Sequence, residues 1–178
     1  SEYTDRLWAY SQLLRARLSG GWIVALLPPL FLHASAQHLL GNMIGLTAGG
    51  AAVEEFYGRR RTLALYLLCG ICGAILSLLR PKDVLSVGAS GAIMGLYGVI
   101  LVFLLRFRTR FTDRQRMKTT RIYLPLLVLA LLPGIFQADL LSHVGGFLGG
   151  VLLALVVQPL RDRINWQREE AAGPDPSA

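Results

Sequence analysis

"VLSVGASGAIMGLYGVILVFLL" (residues 84–105) runs for 22 residues without a charge. That is long enough to cross a bilayer as one helix, since a span needs roughly 20 residues. The start of the run is unusual for so apolar a segment, because Gly88, Gly91 and Gly95 surround Ser90. Two readings are open. Small residues let membrane helices approach closely, and glycines also bare a serine hydroxyl and the backbone N–H groups beside it. Residues outside the run have to decide between them.

Working outward, residues 18–53, 62–79, 122–138 and 140–160 are also free of charge. Of the 178 residues 53% are hydrophobic and 16% charged, against about a quarter charged in an ordinary soluble domain. The pattern predicts an all-α, polytopic membrane helix bundle of five spans, occupying residues 21–165. Residues 1–20 are too polar to span; Leu7, Trp8, Leu13, Leu14 and Leu18 suit an amphipathic helix lying in the interface. Pro28 and Pro29 would break a continuous helix. Residues 21–34 therefore read as a partly sunken loop, with the first span running from near Ser35 to near Glu54. Gly58 is a natural helix stop, and another helix should start close to Ser90. Residues 166–178, with two prolines and small residues towards the end, are expected to be a disordered tail.

The net charge of +7 does not require nucleic acid, because basic residues flanking spans are what the positive-inside rule produces. Arg59, Arg60 and Arg61 follow the first span, seven Lys/Arg occupy 106–121, and Arg161, Arg163 and Arg168 follow the last. These clusters are expected in the cytoplasm, with the loops near Arg80 and Asp139 on the outer side. Cys69 and Cys72 lie mid-span without a second pair, which suits small packing residues better than a metal or redox centre. No metal or cofactor is expected.

Polar residues inside spans are few and are functional-site candidates by default: His38, Asn42, Ser90 and His143. Asn42 lies 17 residues before Arg59, Ser90 lies 16 before Arg106, and His143 lies 18 before Arg161. At about 1.5 Å per helical residue, all three stand at one level, roughly 24–27 Å above the basic boundary. His38 and Asn42 share a helix face at i, i+4. Gly91 with Gly95, and Gly146 with Gly150, form two G-x-x-x-G pairs that would bring the Ser90 and His143 helices close together. A serine becomes a nucleophile when an adjacent base takes its proton. At a helix start it also has free N–H groups beside it, and Asn42 and His38 could add donors for an oxyanion. No third carboxylate is evident, since Asp139 faces the outer boundary. The set reads as a Ser90–His143 dyad.

At these residues the chain resembles the rhomboid intramembrane serine proteases. "HLLGN" (38–42) is similar to the family's His-x-x-x-Asn motif and "GASG" (88–91) to its Gly-x-Ser-Gly motif. "SHVGGFLGG" (142–150) is similar to its last-helix motif, and "GGAAVEEFYG" to the end of its second helix, with Glu54 and Gly58 in place. The resemblance covers residues 22–160. It implies cleavage of transmembrane protein substrates in the lipid bilayer, with Ser90 and His143 catalytic and Asn42, His38 and the Ser90 backbone binding the oxyanion. Gly88, Gly91, Gly146, Gly150 and Glu54 would be structural, and His33 a loop-stabilising residue without a catalytic role. The implied setting is a bacterial cytoplasmic membrane with the site opening outward.

Three features depart from the family pattern. The first of its usual six helices has no counterpart, so the chain is either a fragment or begins outside. Its Trp-Arg loop pair is missing, with Val24-Ala25 at that place, and Met94 replaces the aromatic one turn after the serine. Two other classes stay open: a catalytically inactive quality-control or binding relative, and a small transporter. The first would be expected to lose Ser90 or His143, and the second to spread its polar residues over several depths.

Overall fold

Ser35 begins the first helix. Its backbone is extended and its hydroxyl accepts from the His38 N–H at 3.1 Å, which satisfies one of the free donors of a helix start. The helix α1 then runs Ala36–Tyr57 and stops at Gly58, whose φ of +74° is a conformation that L side chains resist. The Gly58 N–H donates to the Glu54 carbonyl at 3.0 Å, and its own carbonyl accepts from the Thr62 N–H and hydroxyl, both at 3.0 Å. One residue thus ends α1 and starts α2, Arg59–Ser77. α3 is Ser90–Phe107 and α4 is Leu140–Val156.

This computed structural model describes residues 26–79, 87–107 and 139–160, with isolated positions 5, 6, 9, 117, 121 and 125. Ahead of α1, Pro28–Phe31 form a 3₁₀ turn with proline at its first positions, where a missing N–H costs nothing. Leu30 is buried against Gly70 and Phe31 is exposed, so this segment is half covered by the helix bundle.

Glycine contacts define how the helices run. Gly91, Gly95 and Gly98 of α3 meet Ser142, Gly146 and Phe147 of α4 in ascending order, so these helices are parallel. Gly45 and Gly49 of α1 meet Ile93 and Tyr97 of α3 in the same sense, while Gly73 and Cys72 of α2 meet Gly145 and Gly149 of α4 in the opposite one. α1, α3 and α4 therefore share one direction and α2 opposes them. α3 is central, with every residue from Gly91 to Ile100 buried, as expected of a helix apolar on all sides. Cys69, buried against Gly95, and Cys72, half-buried against Gly149, are free thiols used in packing.

The end of the bundle where α1, α3 and α4 finish is tied by polar contacts. The Leu160 N–H donates to the Phe56 carbonyl at 2.9 Å. Arg61 donates to the Gln158 carbonyl at 2.6 Å, and Arg106 to those of Ala154 and Leu155 at 3.5 and 3.3 Å. Cations belong there, because the last carbonyls of a helix lack partners and carry its negative dipole end.

Every element among the described residues is helical and none is a strand. The described residues do not carry the count of five spans. Among them α2 and α3 are long and apolar enough to cross a membrane, judged by length and composition, and α4 is shorter at 17 residues. α1 has the length, at 22 residues, but His38, Asn42, four glycines, Glu54 and Glu55 dilute its apolar character. The expected span at 122–138 lies outside the described residues except for Pro125. The tail at 166–178, Val24-Ala25 and most of the amphipathic helix expected in residues 1–20 also lie outside; Asp5, Arg6 and Ala9 are helical and exposed.

Candidate active site

Ser90 is the first residue of α3 and is half-buried. The first α-helical bond there runs from the Ile93 N–H to the Ala89 carbonyl at 3.0 Å, which leaves the N–H groups of Ser90, Gly91 and Ala92 without intrahelical acceptors. The chain reaches Ser90 through Gly88, held at φ +123° with its N–H donating to the Pro29 carbonyl at 2.8 Å. A Cβ at Gly88 would stand 2.7 Å from His38 Cε1, 2.9 Å from His38 Nε2 and 3.3 Å from Asn42 Nδ2. The imidazole and amide of α1 thus lie over the backbone two residues before Ser90. Only a glycine leaves room for them.

The start of α4 meets the same place. Asp139 caps the helix: its carboxylate accepts from the Ser142 N–H at 3.1 Å, its carbonyl from the His143 N–H at 3.1 Å. The Ser77 hydroxyl, at the end of α2, donates to the other carboxylate oxygen. One turn on, Gly146 presses against the Gly91 backbone, so a Cβ there would lie 2.7 Å from the Gly91 carbonyl carbon and 3.2 Å from its Cα. Gly150 sits in the same way on Gly95. His143, one turn before Gly146, is 9% exposed and lies on the helix face turned towards α3.

Two orphaned atoms mark the cluster. Asn42 Nδ2 and His143 Nε2 are buried and have no hydrogen-bond partner among the described residues. Buried polar groups without partners are few in folded proteins and call for an explanation. It follows that Ser90 Oγ and His143 Nε2 are not hydrogen-bonded to each other in this state. Free enzymes commonly hold such pairs too far apart, and the bond tightens once substrate is bound. The His33 ring packs edge-on against His38, with centroids 5.4 Å apart. Met94 is buried in the apolar core. Glu54 lies far along α1 with its side chain exposed, where its carbonyl serves the Gly58 turn. No group of three His, Cys, Asp or Glu residues among the described ones could hold a metal ion.

Two polar contacts escape the sequence reading. Asp139 acts as a helix cap tied to Ser77, a role signalled by its place three residues before Ser142 at the start of an apolar run. Tyr97 donates to the Gly45 carbonyl across the α1–α3 seam at 3.1 Å, which no local pattern announces.

Comparison with known proteins adds an independent line. The family model of the rhomboid domain matches residues 20–160. RHOMBOID-like protein 2 of Arabidopsis thaliana is 38% identical over 149 residues, covering 83% of this chain and 45% of that protein. Putative rhomboid protease YdcA of Bacillus subtilis (strain 168) is 34% identical over 141 residues, 78% of this chain and 69% of the relative. Rhomboid protease GluP of the same bacterium is 34% identical over 155 residues, 86% and 30% respectively. The chain spans less than half the length of the plant relatives it matches.

Proposed function

We propose that this chain, which belongs to the rhomboid family of integral membrane helix bundles, is an intramembrane serine endopeptidase. It cuts membrane proteins in or near their transmembrane segments, with Ser90 as nucleophile and His143 as its base. The observation that supports the reading is the pair of buried, unpartnered atoms, Asn42 Nδ2 next to Gly88 and His143 Nε2 one turn before the Gly146–Gly91 contact.

The chemistry follows from those groups. His143 Nε2 takes the Ser90 proton as Oγ attacks the scissile carbonyl carbon. The carbonyl oxygen becomes an oxyanion, stabilised by the Asn42 amide, the His38 ring and the free N–H groups of the α3 start. Collapse breaks the C–N bond, and the imidazolium protonates the leaving amine. Water then attacks the acyl-enzyme, giving its proton to His143, and collapse of the second tetrahedral intermediate releases the carboxyl product and returns the proton to Ser90. Asp139 stays outside this relay, because its carboxylate is engaged by Ser77 and Ser142.

A membrane setting also limits the substrate. A peptide bond inside a helix is shielded, and unwinding it in lipid exposes polar groups at a cost of several kcal/mol each. Segments already weakened by Gly or Pro are the favoured targets. The basic ends of α1, α3 and α4 are assigned to the cytoplasm, so the site opens on the outer side of a bacterial cytoplasmic membrane. The test is labelling of purified protein with a serine-reactive fluorophosphonate. One adduct on Ser90, absent from Ser90→Ala, is expected. Lack of labelling in folded protein would favour the inactive relative instead.

A further inference from the structure

Tyr97 is 1% exposed and carries a hydroxyl into the seam between α1 and α3. Its ring lies across a groove made by two glycines of α1. A Cβ at Gly49 would stand 3.2 Å from the ring's Cε1 and 3.3 Å from Cζ, and one at Gly45 would stand 4.0 Å from the hydroxyl. Such a groove seats a ring well but does little to stop one helix sliding along the other, since dispersion contacts are non-directional and individually small. The hydroxyl supplies the direction. It donates to the Gly45 carbonyl at 3.1 Å, an interaction fully inside the protein, using the lone pair that the helix's own bond leaves free.

The position of this bond gives it a consequence. Gly45 is one turn from Asn42 on the same face of α1, and Tyr97 is two turns from Ser90 on the same face of α3. The helices run parallel, so the bond and the candidate site lie along a single seam. At about 1.5 Å of rise per residue, a slip of one residue would move the Asn42 amide by half a hydrogen-bond length relative to Ser90. Near Asn42, the described residues offer its Nδ2 no hydrogen bond of its own. Something else must hold that amide at its level.

We propose that Tyr97 is a positioning residue: its bond to the Gly45 carbonyl sets the axial register of α1 on α3 and so holds the Asn42 amide beside the Ser90 helix start. The inference rests on the reading of Ser90 as nucleophile and Asn42 as oxyanion donor. Tyr97 itself touches no reacting atom. A packing residue would need the ring alone; a positioning residue needs the hydroxyl.

Tyr97→Phe separates the two, because it keeps the ring in its groove and removes only the oxygen. Misplacement by about 1 Å can cost up to 10²-fold in rate, so a loss of about tenfold in kcat is expected, with KM little changed. The experiment is a double-mutant cycle on purified full-length chain, measuring kcat and KM for a transmembrane substrate in wild type, Tyr97→Phe, Asn42→Ala and the double variant. In the Asn42→Ala background the tyrosine change should lower kcat little further, since the group it positions is gone. An equal loss in both backgrounds, or no loss in either, would overturn the inference. Fluorophosphonate labelling of wild type and Ser90→Ala runs alongside. A wild type that neither labels nor cleaves brings down the reading of the site. A labelled, active wild type matched by Tyr97→Phe brings down only the role of the tyrosine.

Discussion

Gly146→Ala adds one methyl group to one of the two tightest glycine contacts between α3 and α4. The new Cβ would lie 2.7 Å from the Gly91 carbonyl carbon and 3.2 Å from Gly91 Cα, nearer still to the carbonyl oxygen. Ordinary contact begins near 3.4 Å, and every atom in the way is backbone, so no rotamer change relieves the clash. α4 must move off α3 by the better part of an ångström. Overpacking of this kind costs typically about 1–3 kcal/mol, while the gain in helix propensity over glycine offsets only about 0.5–1 kcal/mol. The net expectation is a loss of about 1–2 kcal/mol in stability, read as a lower unfolding midpoint in detergent. Activity should suffer more than stability. Gly91 adjoins Ser90 and Gly146 is one turn from His143, so the same displacement would separate the proposed dyad, at a cost of about 10²-fold in kcat. Gly41→Ala is the control, because a Cβ there meets nothing within 4 Å, and it should leave cleavage intact. Wild-type activity and stability in Gly146→Ala, or equal damage in Gly41→Ala, would refute the reasoning.

Asn42→Ala should lower kcat by about 10²–10³-fold with KM little changed, as for loss of one oxyanion donor; a change confined to KM would make Asn42 a binding group. Arg106→Ala removes the guanidinium from the Ala154 and Leu155 carbonyls and should cost about 1 kcal/mol at this exposed helix end, seen as a lower unfolding midpoint with fluorophosphonate labelling of Ser90 retained. In one host substrate, Gly/Pro→Leu changes outside the residues flanking the cut should slow turnover strongly, because they restore the helix that must unwind; equal rates across that series would end the unwinding model.

Much of this arrangement is legible locally. Ser35 and Gly58 carry the start and stop of α1 in their own chemistry, and the helix at Ser90 begins at the serine itself. The two G-x-x-x-G pairs point to the close α3–α4 contact, which the structure forms between the very glycines of those pairs. The gathering of His38 and Asn42 against Gly88 agrees with their shared helix face at i, i+4. Other features depend on residues far apart in the chain. The Tyr97–Gly45 bond spans 52 positions and the Arg61–Gln158 bond 97, and neither has a periodicity to betray it. Asp139 reads as a boundary charge because a cap on a membrane helix looks the same as one until its partners, Ser142 and Ser77, are seen. α1, read as a span from its lack of charge before Glu54, is diluted in apolar character for a physical reason: it carries His38, Asn42 and the glycines that pack against α3.

The most direct test of the dyad is cleavage of a transmembrane substrate by purified wild type, Ser90→Ala and His143→Ala, each shown to be folded by its unfolding transition in detergent. The account predicts cleavage by wild type within the membrane segment and none above background by either variant. Undiminished cleavage by Ser90→Ala would contradict it.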